Sequence, residues 1–301
     1  MEPDSDIAAL SSLVKKSDLA AALHLAGHVG LLMLTTWVIA VLSSGVVLAF
    51  ILVCHGVLLV FLFAPAHETI HKTAFDSQWL NASVASVCGL ILLLPPRYFR
   101  AFHMAHHRHT QIRGKDPELV TDKPSSVSRY VWQVSGIPYW YAQVVSIARS
   151  AVGKTDDLFV SRSKRSGVIN EARLFAIIYL GCLIVSLVSA STVLVCFWLV
   201  PVILGQPFLR LFLLAEHTLC PYVPDMFDNT RTTITNPAMR FLCWNMSYHT
   251  EHHVHAGIPF HRLPAANRLL DQQLINKASG YISVNCAILK NILDRKDIHV
   301  H

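Results

Sequence analysis

The sequence predicts an all-α, multi-pass membrane protein: about four transmembrane helices in two hairpins, under a histidine-rich helical cap on the cytosolic side. Three observations predict it. Of the 301 residues, 53% are hydrophobic and 15% charged, against ~25% charged in ordinary soluble domains. Two apolar runs are each too long for one membrane crossing. Nine of the 17 histidines stand at the ends of these runs or in the polar segments that follow.

The whole chain, 1–301, is expected to form a single domain. Residues 1–24 make an N-terminal surface segment, with a short helix after Pro3. The opening Met-Glu-Pro-Asp-Ser-Asp is acidic and lacks the basic n-region of a signal peptide. The chain is therefore expected to start in the cytosol and insert through its own spans. Residues 25–66 form the first hairpin. The apolar run from Val29 to Ala66 would be ~57 Å long as one helix, against a hydrocarbon core of ~30 Å. Ser43-Ser44-Gly45 supplies the turn, giving spans near 25–43 and 46–66.

Residues 67–170 hold two histidine groups and interfacial segments. The apolar piece Trp79 to Leu94 is marginal for spanning and reads equally as re-entrant, interfacial or crossing. Further on, Tyr130, Trp132, Tyr139, Trp140 and Tyr141 suit the headgroup level. Residues 171–215 form the second hairpin, with spans near 172–189 and 192–215, a bend at Ser189-Ala190-Ser191, and kinks expected at Pro201 and Pro207. Residues 216–301 complete the cap. Both hairpin tips lack Lys and Arg, whereas the histidine-bearing segments carry many. By the positive-inside rule the histidines and both termini are cytoplasmic.

The net charge of +6 is spread along the chain. It suits anionic lipid headgroups better than nucleic acid, because no basic stripe interleaved with aromatics occurs. The seven cysteines form no Cys-x-x-Cys pair, which argues against a structural zinc site or a disulfide scaffold.

The chemistry resides in the histidines. The central stretch His103-Met-Ala-His106-His107-Arg-His109 places three rings at i, i+3 and i+4, on one face of a helix. His249-Thr-Glu-His252-His253 repeats the spacing, His67-Glu-Thr-Ile-His71 is an i, i+4 pair, and His217 follows the last apolar run. Neutral imidazole binds iron, copper or zinc. Nine converging rings exceed what one metal takes, since structural zinc is almost always four-coordinate, and they suit two metals with four or five nitrogens each. Glu68, Asp116, Glu216 and Glu251 are the nearby acceptors expected to orient the rings. Two redox metals beside a membrane suggest oxygen activation. Cleaving an unactivated aliphatic C–H bond needs an oxidant that no side chain supplies, which favours iron. Copper stays open on ligand type alone.

The order His-x-x-x-His, His-x-x-His-His, lone histidine, His-x-x-His-His resembles the integral-membrane fatty acid desaturase and hydroxylase superfamily, over about residues 25–265. The segments Leu214-Ala-Glu-His217 and Trp244-Asn-Met-Ser-Tyr-His249-Thr-Glu-His-His253, with Pro259-Phe-His-Arg-Leu-Pro264, are most similar to bacterial fatty acid desaturase-like proteins. The resemblance implies two iron ions on the cytosolic face, held by His67, His71, His103, His106, His107, His217, His249, His252 and His253. It implies O2 as co-substrate, a lipid or acyl substrate, and two electrons from a donor. No fused haem or ferredoxin-like domain is recognisable, so a separate ferredoxin or cytochrome-type donor with its reductase is expected.

Desaturation of an acyl chain is the favoured reaction, with hydroxylation or ketolation of an alkyl or carotenoid substrate as the alternative. His67-Glu68-x-x-His71 also satisfies the zinc metalloprotease pattern, but that reading leaves the other box histidines without work. A membrane metal carrier is a further rival, although transporters place ligands near mid-bilayer. His109, His255 and His261 break the helical faces and are expected around the site or at the surface. His24, His28 and His55 are expected as isolated polar positions in helices, and His299 and His301 as a tail. A groove for the substrate is expected along 79–94, at Ala85 and Gly89.

Overall fold

A computed structural model of the chain describes residues 9–298. The helix expected after Pro3 begins outside them, as do His299, His301 and both chain ends. The fold is helical apart from one two-stranded parallel sheet, β1 (Thr232–Ile234) with β2 (Lys277–Ser279).

The first span, α1 (Asp18–Val41), starts seven residues before the apolar pattern suggests. Its start is local chemistry: the Ser17 hydroxyl accepts from the Ala20 amide, and Asp18 sits in the first turn near the positive helix end. Gly45, at φ +100°, makes the hairpin turn that a side chain would strain. The return span is α2 (Val46–Val60) continued, after a short break, by α3 (Phe63–His71). Together, Val46–His71 is long enough to cross the membrane.

The piece marked as marginal becomes α4 (Gln78–Leu92), which turns by 95° into α5 (Pro96–His109). The corner requires Gly89, because a Cβ there would lie 2.5 Å from the Leu94 carbonyl oxygen. Pro96 begins α5, where its missing N–H costs nothing. Helices α6 (Val127–Val134) and α7 (Ile137–Ala151) follow, carrying exposed Trp132 and Tyr141.

The second hairpin is α8 (Arg162–Val188) and α9 (Val200–His217), the latter preceded by a π-helical turn at Val195–Leu199. Helix α8 begins about ten residues before the apolar run, since hydropathy marks only a helix's lipid-facing part. Short helices α10 (Met226–Asn229), α11 (Pro237–Leu242), α12 (His249–Val254) and α13 (Leu263–Leu270) build the cap, and α14 (Tyr281–Ile298) returns to α9. Asn285 on α14 accepts from the Tyr130 hydroxyl and donates to the Leu211 carbonyl.

The histidines within the first hairpin repair breaks in the helical ladders. In lipid, every backbone polar group must find a partner. Pro201 has no N–H for the Phe197 carbonyl, and His55 Nε2 donates to that oxygen at 3.1 Å. At the α2–α3 break, the Leu62 amide bonds Leu59 instead of Leu58, and His28 Nε2 donates to the freed Leu58 oxygen at 2.8 Å. His24 ties α1 to the cap through the Phe241 carbonyl at 2.8 Å.

Helices α2 and α9 approach backbone to backbone. A Cβ on Gly205 would stand 2.2 Å from the Gly56 carbonyl carbon and oxygen, and one on Gly56 would stand 1.8 Å from the Pro201 oxygen. Such small-residue contacts let membrane helices pack closely. Gly205→Ala is expected to destabilise the protein by ~1–3 kcal/mol through overpacking. Gly181→Ala, with nothing within 4 Å, should leave stability unchanged. Denaturation of both variants in detergent checks the difference.

Candidate metal centre

Four helices deliver the nine histidines to one place. Helix α3 carries His67 and His71 and α5 carries His103, His106 and His107. Helix α9 ends at His217, and α12 carries His249, His252 and His253. The ends of α5 and α9 are latched: Gln111 Nε2 donates to the His217 carbonyl at 2.6 Å, and Asn229 Nδ2 to the Thr110 carbonyl at 3.2 Å. The Thr233 amide bonds the Ser247 carbonyl, tying β1 to the turn that enters α12.

The rings form two groups. His67, His71, His103, His107 and His252 place one ligand atom each within 4.8 Å of one another, and so do His106, His217 and His253. His249 joins the second group, its Nε2 lying 3.2 Å from that of His217. The groups share a wall, with His107 and His253 stacked at 4.1 Å between centroids. The division explains the His-His dipeptides. Successive helical residues point about 100° apart, so His106 and His107 feed different groups, as do His252 and His253.

The donor set fits metal ions. Imidazole nitrogens bound to one metal at ~2.1 Å stand ~3.0–3.4 Å from their neighbours and ~4.2 Å across it. The Nε2 atoms of His103 and His107 are 3.0 Å apart, and those of His107 and His252 3.2 Å. His67 Nδ1 and Nε2, His71 Nε2 and His253 Nε2 are buried without a hydrogen-bond partner. In the second group, outward bonds fix the tautomer. His106 Nδ1 donates to Asp116 Oδ1 at 3.0 Å, His217 Nδ1 to the Asn229 carbonyl at 3.1 Å, and His253 Nδ1 to the Thr110 hydroxyl at 3.2 Å. Each of these rings is left with Nε2 as the inward, unprotonated nitrogen.

Burial and neighbouring rings hold His249, His252 and His253 well below the usual histidine range. They are therefore neutral at pH 7, the form that ligates. Burial alone would raise the Asp116 carboxyl. The bond from His106 and the amides of Glu118 and Gln111 outweigh it and hold Asp116 below its ordinary value, ionised.

Two of the four expected acceptors lie elsewhere. Asp116 orients His106, and Glu216 Oε1 is 3.5 Å from His249 Nδ1. Glu68 instead accepts from the Thr73 hydroxyl and the Phe260 amide, and Glu251 from Thr232 and Asn267. Each neighbours a histidine in sequence, but its hydrogen bonds go to these other groups. Among the described residues the Glu68 carboxylate makes no hydrogen bond to a ring; Oε2 is held by Thr73 and Phe260. Thr110, the Asn229 carbonyl and Glu118, which lies 3.6 Å from His106 Nδ1, are partners that spacing did not reveal. His109, His255 and His261 stay outside both groups.

A cavity of about 690 Å³ reaches His67, His103, His106 and His249. Its walls include Phe63, Leu94, Phe99, Phe102, Phe212 and Leu213. Ala85 and Gly89 do not line it; Ala85 is buried in the core, and Gly89 fills the α4–α5 corner.

A family model described as fatty acid desaturase matches residues 35–285. The chain belongs to the fatty acid desaturase family. It is 24% identical over 237 residues to the sn-1 oleoyl-lipid 12-desaturase of Picosynechococcus sp., covering 72% of this chain and 67% of that protein. To the endoplasmic-reticulum omega-6 fatty acid desaturase of Brassica juncea it is 25% identical over 186 residues, covering 55% and 48%. To the chloroplastic omega-6 fatty acid desaturase of Spinacia oleracea it is 22% identical over 232 residues, covering 70% and 50%. The chain thus spans about half to two thirds of the length of these curated relatives. Its four candidate spans make this family enzyme an integral, multi-pass membrane protein.

His106→Ala is expected to abolish metal retention in the second group. Asp116→Asn, which keeps the shape but loses the carboxylate, should weaken metal binding there ~10–100-fold. Metal content of purified variants after graded chelation checks the order wild type, Asp116→Asn, His106→Ala.

Proposed function

We propose that the protein is an O2-dependent diiron desaturase of a fatty acyl or similar alkyl chain, drawing two electrons from a separate donor protein. One observation carries this reading: two groups of largely buried imidazoles adjoin a cavity whose walls are mainly apolar, with His67, His103, His106 and His249 in its lining. The nine histidines are the ligand set, about four or five to each iron. Chain 1–301 acts as one catalytic unit. Its histidine side and both termini are cytoplasmic, because Lys and Arg gather on that side and are absent from both hairpin tips. There the iron is within reach of a ferredoxin or cytochrome-type donor.

Two irons, when bound, supply the oxidising power that C–H cleavage demands. The protein's own residues do the rest. The aromatic walls hold an alkyl chain and exclude water, which protects a strong oxidant from side reactions. The cavity volume falls within the ~300–1,000 Å³ usual for ligand sites. Asp116, Thr110 and the Asn229 carbonyl keep the rings of His106, His253 and His217 in one tautomer and orientation. The stoichiometry closes: two adjacent C–H bonds give two electrons and two protons, the donor gives two electrons, solvent gives two protons, and O2 becomes two waters.

The relatives named as 12-desaturases and omega-6 desaturases support an acyl substrate. Expression with a ferredoxin or cytochrome-type donor and its reductase, followed by mass spectrometry of total lipids, tests the proposal. Loss of two hydrogens from an acyl chain is the expected result. Gain of one oxygen would make it a hydroxylase, and no change in iron-replete, reduced membranes would contradict the reading.

A further inference from the structure

Arg210 lies on α9 seven residues before His217, ~10 Å along the axis, inside a candidate span. Arginine stays charged in proteins. Within a membrane such a charge is costly, and it is normally paired or turned toward a functional cavity. Among the described residues no carboxylate stands within ion-pair distance of Arg210. Glu118 and Glu216, which also line the cavity, act on it only from farther away. One face of the guanidinium lies over the Tyr139 ring, 4.1 Å from its centroid.

The remaining donors are informative. Nε and Nη2 are shielded from solvent and have no hydrogen-bond partner. These two nitrogens make up the side edge of the guanidinium, the edge that grips two oxygens in parallel. Arg210 and Tyr139 both line the cavity that reaches His67, His103, His106 and His249. Gln143, also on the lining, has a side-chain oxygen without a partner; read in the flipped orientation, its amide offers further donors. An alkyl chain alone would leave all of these unsatisfied.

We propose that Arg210 anchors the oxygen-bearing end of the substrate, a carboxylate or an ester carbonyl, inside the cavity and so selects for chains that carry one. The inference rests on the desaturase reading for the chain's fate but not for its binding. Because Arg210 is remote from the histidines along α9, the bond oxidised lies within the chain and not beside the anchored carbon.

The test is equilibrium binding of palmitate, methyl palmitate and hexadecane to the purified full chain in detergent, for wild type, Arg210→Met and Arg210→Lys. Wild type should bind palmitate most tightly and hexadecane least. Arg210→Met should weaken palmitate about tenfold or more and leave hexadecane unchanged. Arg210→Lys, which keeps the charge but loses the fork, should recover part of the loss. If methyl palmitate matches palmitate and falls with it, the ligand is an ester carbonyl of a lipid; if only palmitate responds, it is a free carboxylate. An equal loss for all three ligands, or no discrimination by wild type, overturns the anchor. Should Arg210→Met fail to fold, the wild-type series and Arg210→Lys decide alone: equal affinity for palmitate and hexadecane overturns the proposal. Tight, Arg210-dependent palmitate binding without alkene formation would count against the desaturase reading only.

Discussion

A buried imidazole nitrogen that finds no partner costs ~1–3 kcal/mol, and this protein gathers several in one place. His67 has both ring nitrogens unsatisfied, and His71 and His253 each have one. Where rings do meet, the contacts are Nε2 against Nε2, which require one ring of each pair to hold a proton the other lacks. Protonation would relieve nothing, because charges this close would repel. Cations would relieve all of it together, so metals bound here would recover the cost of the unsatisfied nitrogens. Much of the rest of the structure keeps these rings from turning outward to water.

The membrane imposes the complementary demand. Helices broken by Pro201 and by the Val60–Phe63 interruption leave carbonyls that lipid cannot satisfy, and His55 and His28 answer them. The chain therefore uses histidine in two ways. In the spans the ring donates a proton to a stranded carbonyl. At the site, His106, His217 and His253 each donate Nδ1–H to an outer acceptor and turn a bare Nε2 inward. The Gly56–Gly205 contact brings α2 and α9 together, and these helices lead to His67 and His217. This close packing of α2 on α9 thus helps to set where His67 and His217 stand.

The histidine groups were legible because the i, i+3, i+4 spacing is a local property of a helix. The two hairpins were legible because an apolar run too long to cross once must turn. What spacing conceals is direction and company. Glu68 and Glu251 adjoin histidines in sequence yet bond Thr73, Phe260, Thr232 and Asn267, whereas the Asn229 carbonyl and Thr110 reach rings across the fold. The division of His106 from His107 follows from helical geometry, but which group each joins depends on α3, α9 and α12 closing around them. Helix α8 outruns its apolar stretch because hydropathy reports contact with lipid and not helix length. The cavity could not be placed at all: its walls come from α3, α5, α6, α7, α9 and α12, and Gly89, small enough to suggest a groove, is small because a carbonyl presses on it.

The central claim is that nine imidazoles share two metals. X-ray absorption at the iron edge, with metal analysis of the same purified sample, addresses it most directly. The account predicts two irons per chain, each surrounded by about four or five imidazole nitrogens and no sulfur. A single metal per chain, or a first coordination sphere containing sulfur or few imidazoles, would contradict it.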